Sequence, residues 1–176
     1  MLYNLYMANF DSKKYENAIL YLCGALGGLL QGKKKLAKLL YYADFDRYEY
    51  KESTKSITGD VYKAWKMGPV PARYAEVLDK MYKAGSLGIK ESEATNGYLP
   101  TAIFEAKKQP DMSVFDDDDI KILEHVVAKY GRLNGKQLEE LTHAEAPYIG
   151  TEPNDEIVYE LAFYRGTDFS DVMARA

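Results

Sequence analysis

Residues 34–70 read KKLAKLLYYADFDRYEYKESTKSITGDVYKAWKMGPV, and the rest of the chain is organised around this stretch. Leu36, Leu39, Leu40, Ala43 and Tyr50 fall on one face of a helix over 34–50, and Tyr41, Phe45 and Tyr48 on a second. A helix with two apolar faces is packed on both sides and sits centrally. Lys38, Tyr42, Asp46 and Glu49 fall between those faces, where the periodicity predicts water. Arg47 leaves the first apolar face near the helix end. The reading favoured here lays its stem on the core and its head in water or on Asp44; the sharper alternative makes it a buried anchor for the strand that follows. A polar loop over 53–59 leads through Gly59-Asp60 into a short strand over 61–65. Its alternation puts Val61 and Trp65 on one side and Tyr62 on the other. Gly68-Pro69-Val70-Pro71 is read as a turn, with Pro71 opening the next helix. Tyr74, Val77, Leu78 and Met81 give that helix its stripe, and Gly85 stops it.

Towards the N-terminus, Asp11 and Ser12 are N-cap residues for a first helix. Tyr15, Ala18, Ile19, Leu22, Leu26 and Leu29 follow at helical spacing. Gly24, Gly27 and Gly28 are read as room for a neighbouring helix. The phosphate-loop alternative lacks a preceding strand and matches no nucleotide fingerprint. Towards the C-terminus, residues 87–89 and 102–105 are expected to pair as a hairpin around a polar turn region over 91–97. Asp116 to Asp119 precede Ile120, Leu123, Val126 and Val127, and four acids there cap and complement a helix dipole. The rival, a hard-cation loop, lacks further oxygen ligands at loop spacing. His125 reads as a surface or boundary residue. Leu138 and Leu141 mark a short helix over 134–141, closed by Thr142-His143, and Pro147-Tyr148 turns the chain. A last helix is expected from 152, carrying Ile157, Leu161 and Tyr164. Residues 166–176 read as a tail, with Phe169, Val172 and Met173 able to form a short docked helix.

The chain has 176 residues, 47% hydrophobic and 28% charged, with a net charge of −4. That suits one compact mainly helical α+β domain with a small antiparallel sheet or hairpin, over 1–176 with a core of about 12–165. A mildly acidic chain lacks the footprint of a dedicated nucleic-acid binder. The basic cluster Lys33, Lys34, Lys35 and Lys38 is the exception that keeps a DNA-binding regulator among the alternatives. Residues 117–141 have a helix-turn-helix outline. Glu139, Glu140 and Glu145 would repel phosphates from its second helix, so that outline reads as structural. One cysteine, Cys23, rules out an intrachain disulfide framework and fits a reducing cytoplasm. No apolar run is long enough to span a bilayer. The opening MLYNLYMANFDSKK has no basic region before its apolar residues and does not read as a secretory signal. The expected location is cytoplasmic.

No catalytic constellation stands out, so the expected catalytic residues, metal ligands and cofactors are none. Cys23 has no base near it in sequence. His143 and Glu145 could make an acid–base pair, but His143 reads more simply as a helix-terminal residue bonded to backbone. Sixteen tyrosines point to binding surfaces, because tyrosine combines contact area with a hydroxyl. Lys38, Tyr41, Tyr42 and Glu49 are the candidate partner-contact residues, with Tyr42 foremost.

Lys38-Leu39-Leu40-Tyr41-Tyr42-Ala43, Ala64-Trp65, Gly68-Pro69-Val70, Thr142-His143 and Pro147-Tyr148 occur in an order and spacing that resemble the Panacea domain of SocA-like and phage-associated antitoxins. Tyrosine stands at 148 where tryptophan is common. The resemblance spans residues 34–148. It implies an antitoxin that neutralises a cognate protein toxin by direct binding, without a cofactor and without being an enzyme. An adaptor that hands its partner to a protease is the alternative it carries. Leu39, Leu40, Trp65, Gly68, Pro69, Val70, Thr142, His143, Pro147 and Tyr148 are the family-motif positions, read as scaffold.

Overall fold

The computed structural model describes residues 9–94 and 99–174. Most of the opening segment, and part of the polar turn expected over 91–97, lie outside them. The elements run α1 (Ser12–Ala25), β1 (Leu29–Gln31), α2 (Lys33–Glu49), a 3-10 turn (Tyr50–Glu52), β2 (Tyr62–Trp65), β3 (Gly68–Pro71), α3 (Tyr74–Lys83), β4 (Leu87–Glu91), β5 (Ala102–Ala106), a 3-10 turn (Met112–Val114), α4 (Asp117–Tyr130), α5 (Gly135–His143), α6 (Ala146–Ile149), β6 (Glu156–Ile157), a 3-10 helix (Tyr159–Tyr164) and α7 (Ser170–Met173). The fold is mainly helical α+β. Its strands form two small antiparallel sheets, ordered β1-β5-β4 and β3-β2-β6.

As the two apolar faces required, α2 is the axis of the molecule. It touches α1, α4, α5, β1, β3 and the 3-10 helix over 159–164. Every residue from 36 to 48 is buried, so the polar stripe expected to be wet is inside as well. Lys38, Tyr41 and Tyr42 are enclosed, and Glu49 only partly so. The hydrophobic period found the helix but missed the third wall. The chain after residue 150 and the α4–α5 pair cover the side that α1 and the sheets leave open. The chain after residue 150 supplies polar partners for Asp46 and Glu49, and Pro69 on β3 supplies one for Lys38.

Local chemistry sets the helix ends. Asp11 caps α1 by accepting from the Lys14 amide at 2.9 Å. Reciprocal capping boxes open α4 (Asp116 with Asp119) and α5 (Asn134 with Gln137). The acidic run is therefore a cap, as expected, but Asp119 also continues inward. It is fully buried, accepts from Arg47 Nε at 2.8 Å and pairs with Lys14. Arg47 is thus a buried anchor, not a solvated head. It also donates to Ser53 Oγ at 2.8 Å, which fixes the loop leading to β2. Asp44 is engaged elsewhere, accepting from the Thr58 amide (2.7 Å), Thr58 Oγ1 (2.5 Å) and Tyr62 Oη (2.7 Å). Burial pushes its carboxyl up to about 6 against the pull of these bonds.

Four other expectations are corrected. The glycines at the end of α1 and just after it do not admit a helix: a side chain at Gly24, Gly27 or Gly28 would meet nothing within 4 Å. Gly27 and Gly28 adopt positive φ (94° and 86°), and Gly28 N closes the turn on Cys23 O at 2.8 Å. The chain reverses there, so Leu29 is strand, and exposed, instead of helical core. Gly68–Pro71 is the second strand of a hairpin with β2, in register Tyr62↔Pro71 and Trp65↔Gly68. Pro71 ends that strand, and its missing N–H is harmless on a sheet edge. The helix expected from 152 is absent. Asn154 N donates to Ala64 O at 2.8 Å and Ala64 N to Asp155 O at 2.9 Å, which draws Glu156–Ile157 onto β2 as a third strand before the 3-10 helix. His125 is buried, with Nδ1 2.8 Å from Asp171 Oδ1. The expected alternation of β2 holds, with Tyr62 and Ala64 inward and Lys63 and Trp65 outward. The α3 stripe and the β4–β5 hairpin also form where the sequence places them.

Candidate functional site

The motif residues, scattered from 38 to 148, meet at one end of the β2–β3 hairpin. Lys38 lies beneath it. Its Nζ donates to Pro69 O at 2.7 Å, and the residue is 1% exposed. Burial pushes the amine down to about 7; the nearby Glu139 carboxylate opposes that shift and Lys34 adds to it. Gly68, with φ of 90°, passes directly over this amine. A β-carbon there would sit 2.8 Å from Thr142 Oγ1 and 2.9 Å from Lys38 Cε. Gly68, Lys38 and Thr142 are therefore one packing unit. Replacing Gly68 with alanine should cost about 2 kcal/mol, from the left-handed backbone plus the crowding. Urea unfolding would check this, with Val70→Ala as the control.

Tyr148 Oη donates to Trp65 O at 3.0 Å, and the His143 ring stacks on Tyr148 at 4.3 Å. Pro147 is buried in the first turn of α6. Leu39 and Leu40 point into the core. The His143 Nε2 is buried without a hydrogen-bond partner among the described residues. Glu145, the acid that could have paired with it, turns instead to Tyr41 Oη (2.9 Å) and Arg165 Nε (3.2 Å).

Behind the hairpin, the row Tyr41, Tyr42, Asp46 and Glu49 closes on Arg165. The guanidinium is 2.6 Å from Asp46 Oδ1 and 3.4 Å from Glu49 Oε2, and it lies near the rings of Tyr41 and Tyr42. Tyr42 stacks on Tyr130 at 3.8 Å. Burial disfavours the charge on Arg165, but Asp46, Tyr41 and Glu145 outweigh it and hold the guanidinium protonated. Sequence reading placed Arg165 at the edge of a tail and missed it. The only signal was a lone cation behind Phe163-Tyr164.

Of the four lysines that kept a DNA-binding reading open, Lys33 is exposed and the other three are held within the fold. Lys34 pairs with Glu139, Lys35 Nζ donates to Gly131 O at 2.6 Å, and Lys38 reaches Pro69. Among the described residues, no group of three or more His, Cys, Asp or Glu could hold a metal ion, and no helix is long and apolar enough to cross a membrane.

The exposed face of the site carries large apolar side chains beside the exposed Lys66. Trp65 (53% exposed) and Met67 (56%) project from the hairpin, with exposed Leu141 beside Thr142 and exposed Ile149 beside Tyr148. Of the positions first assigned to partner contact, Lys38, Tyr41 and Tyr42 are internal and Glu49 is half-buried, and the outward surface belongs to their neighbours. No curated protein and no solved structure matches the chain significantly. The family model for antitoxin SocA-like proteins, Panacea domain, matches residues 36–148. That range begins on α2, ends on Tyr148 and contains the whole motif cluster, and the chain belongs to this SocA-like antitoxin family.

Proposed function

We propose that this protein is the antitoxin of a toxin–antitoxin pair and neutralises a cognate protein toxin by direct contact that occludes it. Family membership carries the reading. The exposed Trp65–Met67–Leu141–Ile149 surface supports it. Large apolar side chains grouped on a surface mark interaction sites, and tryptophan is prominent among residues that dominate binding energy. The hydrogen bond from Tyr148 to the Trp65 carbonyl and the Lys38 bond to Pro69 hold the hairpin that presents them. A binding role of this kind needs no catalytic group and no cofactor.

The test is expression of the neighbouring reading frame alone and beside this chain. The neighbour alone should arrest growth, and co-expression should restore it with both proteins eluting together. A neighbour that is harmless alone removes the proposal. Trp65→Ser should weaken the complex by about 2 kcal/mol, the size of a hot-spot truncation. Because Trp65 faces out, unfolding should be nearly unchanged. Calorimetry on the purified pair would measure the first effect and urea unfolding the second. If the toxin is instead lost from cells, and only when a protease is present, the adaptor alternative replaces occlusion.

A further inference from the structure

The second sheet carries a surface that the hairpin site does not use. Among the described residues β4 is an edge strand, hydrogen-bonded only to β5. Its register shows which groups remain outward. Lys107 N donates to Ser86 O at 3.0 Å, and Ser92 N donates to Thr101 O at 2.9 Å. Bonded pairs alternate along an antiparallel ladder, so Gly88 and Lys90 turn their amides and carbonyls towards β5. Leu87, Ile89 and Glu91 turn theirs to the outer edge. Among the described residues no hydrogen bond reaches the backbone of Ile89 or Glu91 from that side.

The side chain of Ile89 lies on the same face as Phe104, its cross-strand partner. There it lines a groove of about 420 Å³ whose other wall is α3, through Tyr74, Leu78 and Tyr82. Tyr82 is 57% exposed although it belongs to this apolar wall. An open strand edge beside an apolar groove fits one kind of occupant. An extended polypeptide supplies backbone donors and acceptors to the edge, and every second side chain enters the groove. A residue placed opposite Ile89 would send its side chain between Ile89, Leu78 and Tyr82. A second copy of this chain fits poorly, because pairing β4 with β4 would bring two α3 helices to one narrow groove.

We propose that the outer edge of β4, with the groove between it and α3, docks an extended apolar segment of the toxin as an added strand. The inference rests on the toxin-binding reading and adds a second contact, on the sheet opposite in sequence to the hairpin site. Such a segment would tether the toxin while the Trp65 surface covers it.

The experiment uses the full chain and the toxin encoded by the neighbouring reading frame. Ile89→Pro removes an amide that faces only outward, and proline is tolerated on an edge in that orientation. Tyr82→Glu places a carboxylate in the groove wall without touching the ladder. Each variant should weaken toxin binding tenfold or more in calorimetry, and amide exchange over 87–91 should slow in the wild-type complex. Should Ile89→Pro fail to fold, Tyr82→Glu and the exchange measurement decide. Affinities within twofold of wild type, or unchanged exchange over 87–91, would overturn the inference while leaving the antitoxin reading intact. A wild-type dimer that Ile89→Pro converts to a monomer would also overturn it, by assigning the edge to a second copy. Absence of any wild-type binding would instead remove the antitoxin reading and this inference together.

Discussion

Replacing Arg165 with alanine is expected to cost about 3–5 kcal/mol of folding stability, the range for breaking a buried charge pair. At this chain length that is a fall in Tm of roughly 10 °C. The Arg165 side chain is 1% exposed and stands between three carboxylates, with Asp46 at 2.6 Å, Glu145 at 3.2 Å and Glu49 at 3.4 Å. The same carboxylates bind elsewhere: Glu49 accepts from Thr167 N and Oγ1 at 2.8 and 2.6 Å, and Glu145 accepts from Tyr41 at 2.9 Å. Truncation would leave Asp46 buried and Glu145 partly buried without the guanidinium that offsets their desolvation. Burial already raises the pKa of Glu145, with Arg165 pulling against that shift, so without Arg165 this group should become easier to protonate. Arg165→Lys should recover only part of the loss, since an ammonium cannot fork between Asp46 and Glu145 as the planar guanidinium does. Urea unfolding at pH 7 measures all three proteins. A loss below about 1 kcal/mol for alanine, the size of a surface pair, would mean that Arg165 does not hold the chain after residue 150 to α2.

Arg165 also shows where sequence reading stops. The helices with strong local signals were legible because their information is local. The caps at Asp11 and Asp116, the stripe of α3 and the two apolar faces of α2 all lie within a few residues of the structure they determine. The misread segments depend on distant partners. Ile157 is a strand residue because Tyr62 lies beside it, and nothing within 152–164 encodes that pairing. Lys38 and Tyr42 were assigned to water because lysine and tyrosine usually have it available. Here Pro69 O and the Tyr130 ring take its place.

The site divides in the same way. The motif positions were legible as scaffold, and they do converge, with Gly68 over Lys38 and Thr142 and with Tyr148 on Trp65. The proposed partner residues were not legible as a surface. Choosing them required knowing which side of α2 the later chain covers. Trp65 was read as scaffold: the alternation of β2 set it opposite Tyr62, and the structure turns Tyr62 inward and Trp65 out.

Lys38 makes the second large effect a dependence on pH. Its amine has a pKa of about 7 in the folded protein, against an ordinary value of 10.5. Between those values the unfolded chain holds a proton that the folded protein does not. Stability therefore rises with pH across that range, and the penalty is fully present only below pH 7. At about 1.4 kcal/mol per pH unit the full penalty is of order 4–5 kcal/mol, and about 2 kcal/mol of it is relieved between pH 7 and 9.

The window is bounded on both sides by other groups. The raised pKa of Asp44, about 6, acts at lower pH with the opposite slope, because the folded protein then holds the extra proton. Burial pushes Cys23 up to about 12 and raises the buried tyrosines further, so their ionisation on unfolding erodes stability above about pH 9. Urea unfolding at pH 7, 8 and 9 should thus show a gain for the wild type and a flat response for Lys38→Met. The methionine removes the titration and keeps the volume, although it leaves Pro69 O without its donor, a cost of about 1–3 kcal/mol. Its slope is accordingly the diagnostic quantity, more than its absolute stability. An equal slope in the two proteins would place the titration on another residue. Since Lys38 is the only side chain bonded to the Pro69 carbonyl among the described residues, the same substitution should loosen the hairpin. Toxin affinity in Lys38→Met should then fall at every pH, whereas its folding loses only the gain across pH 7 to 9.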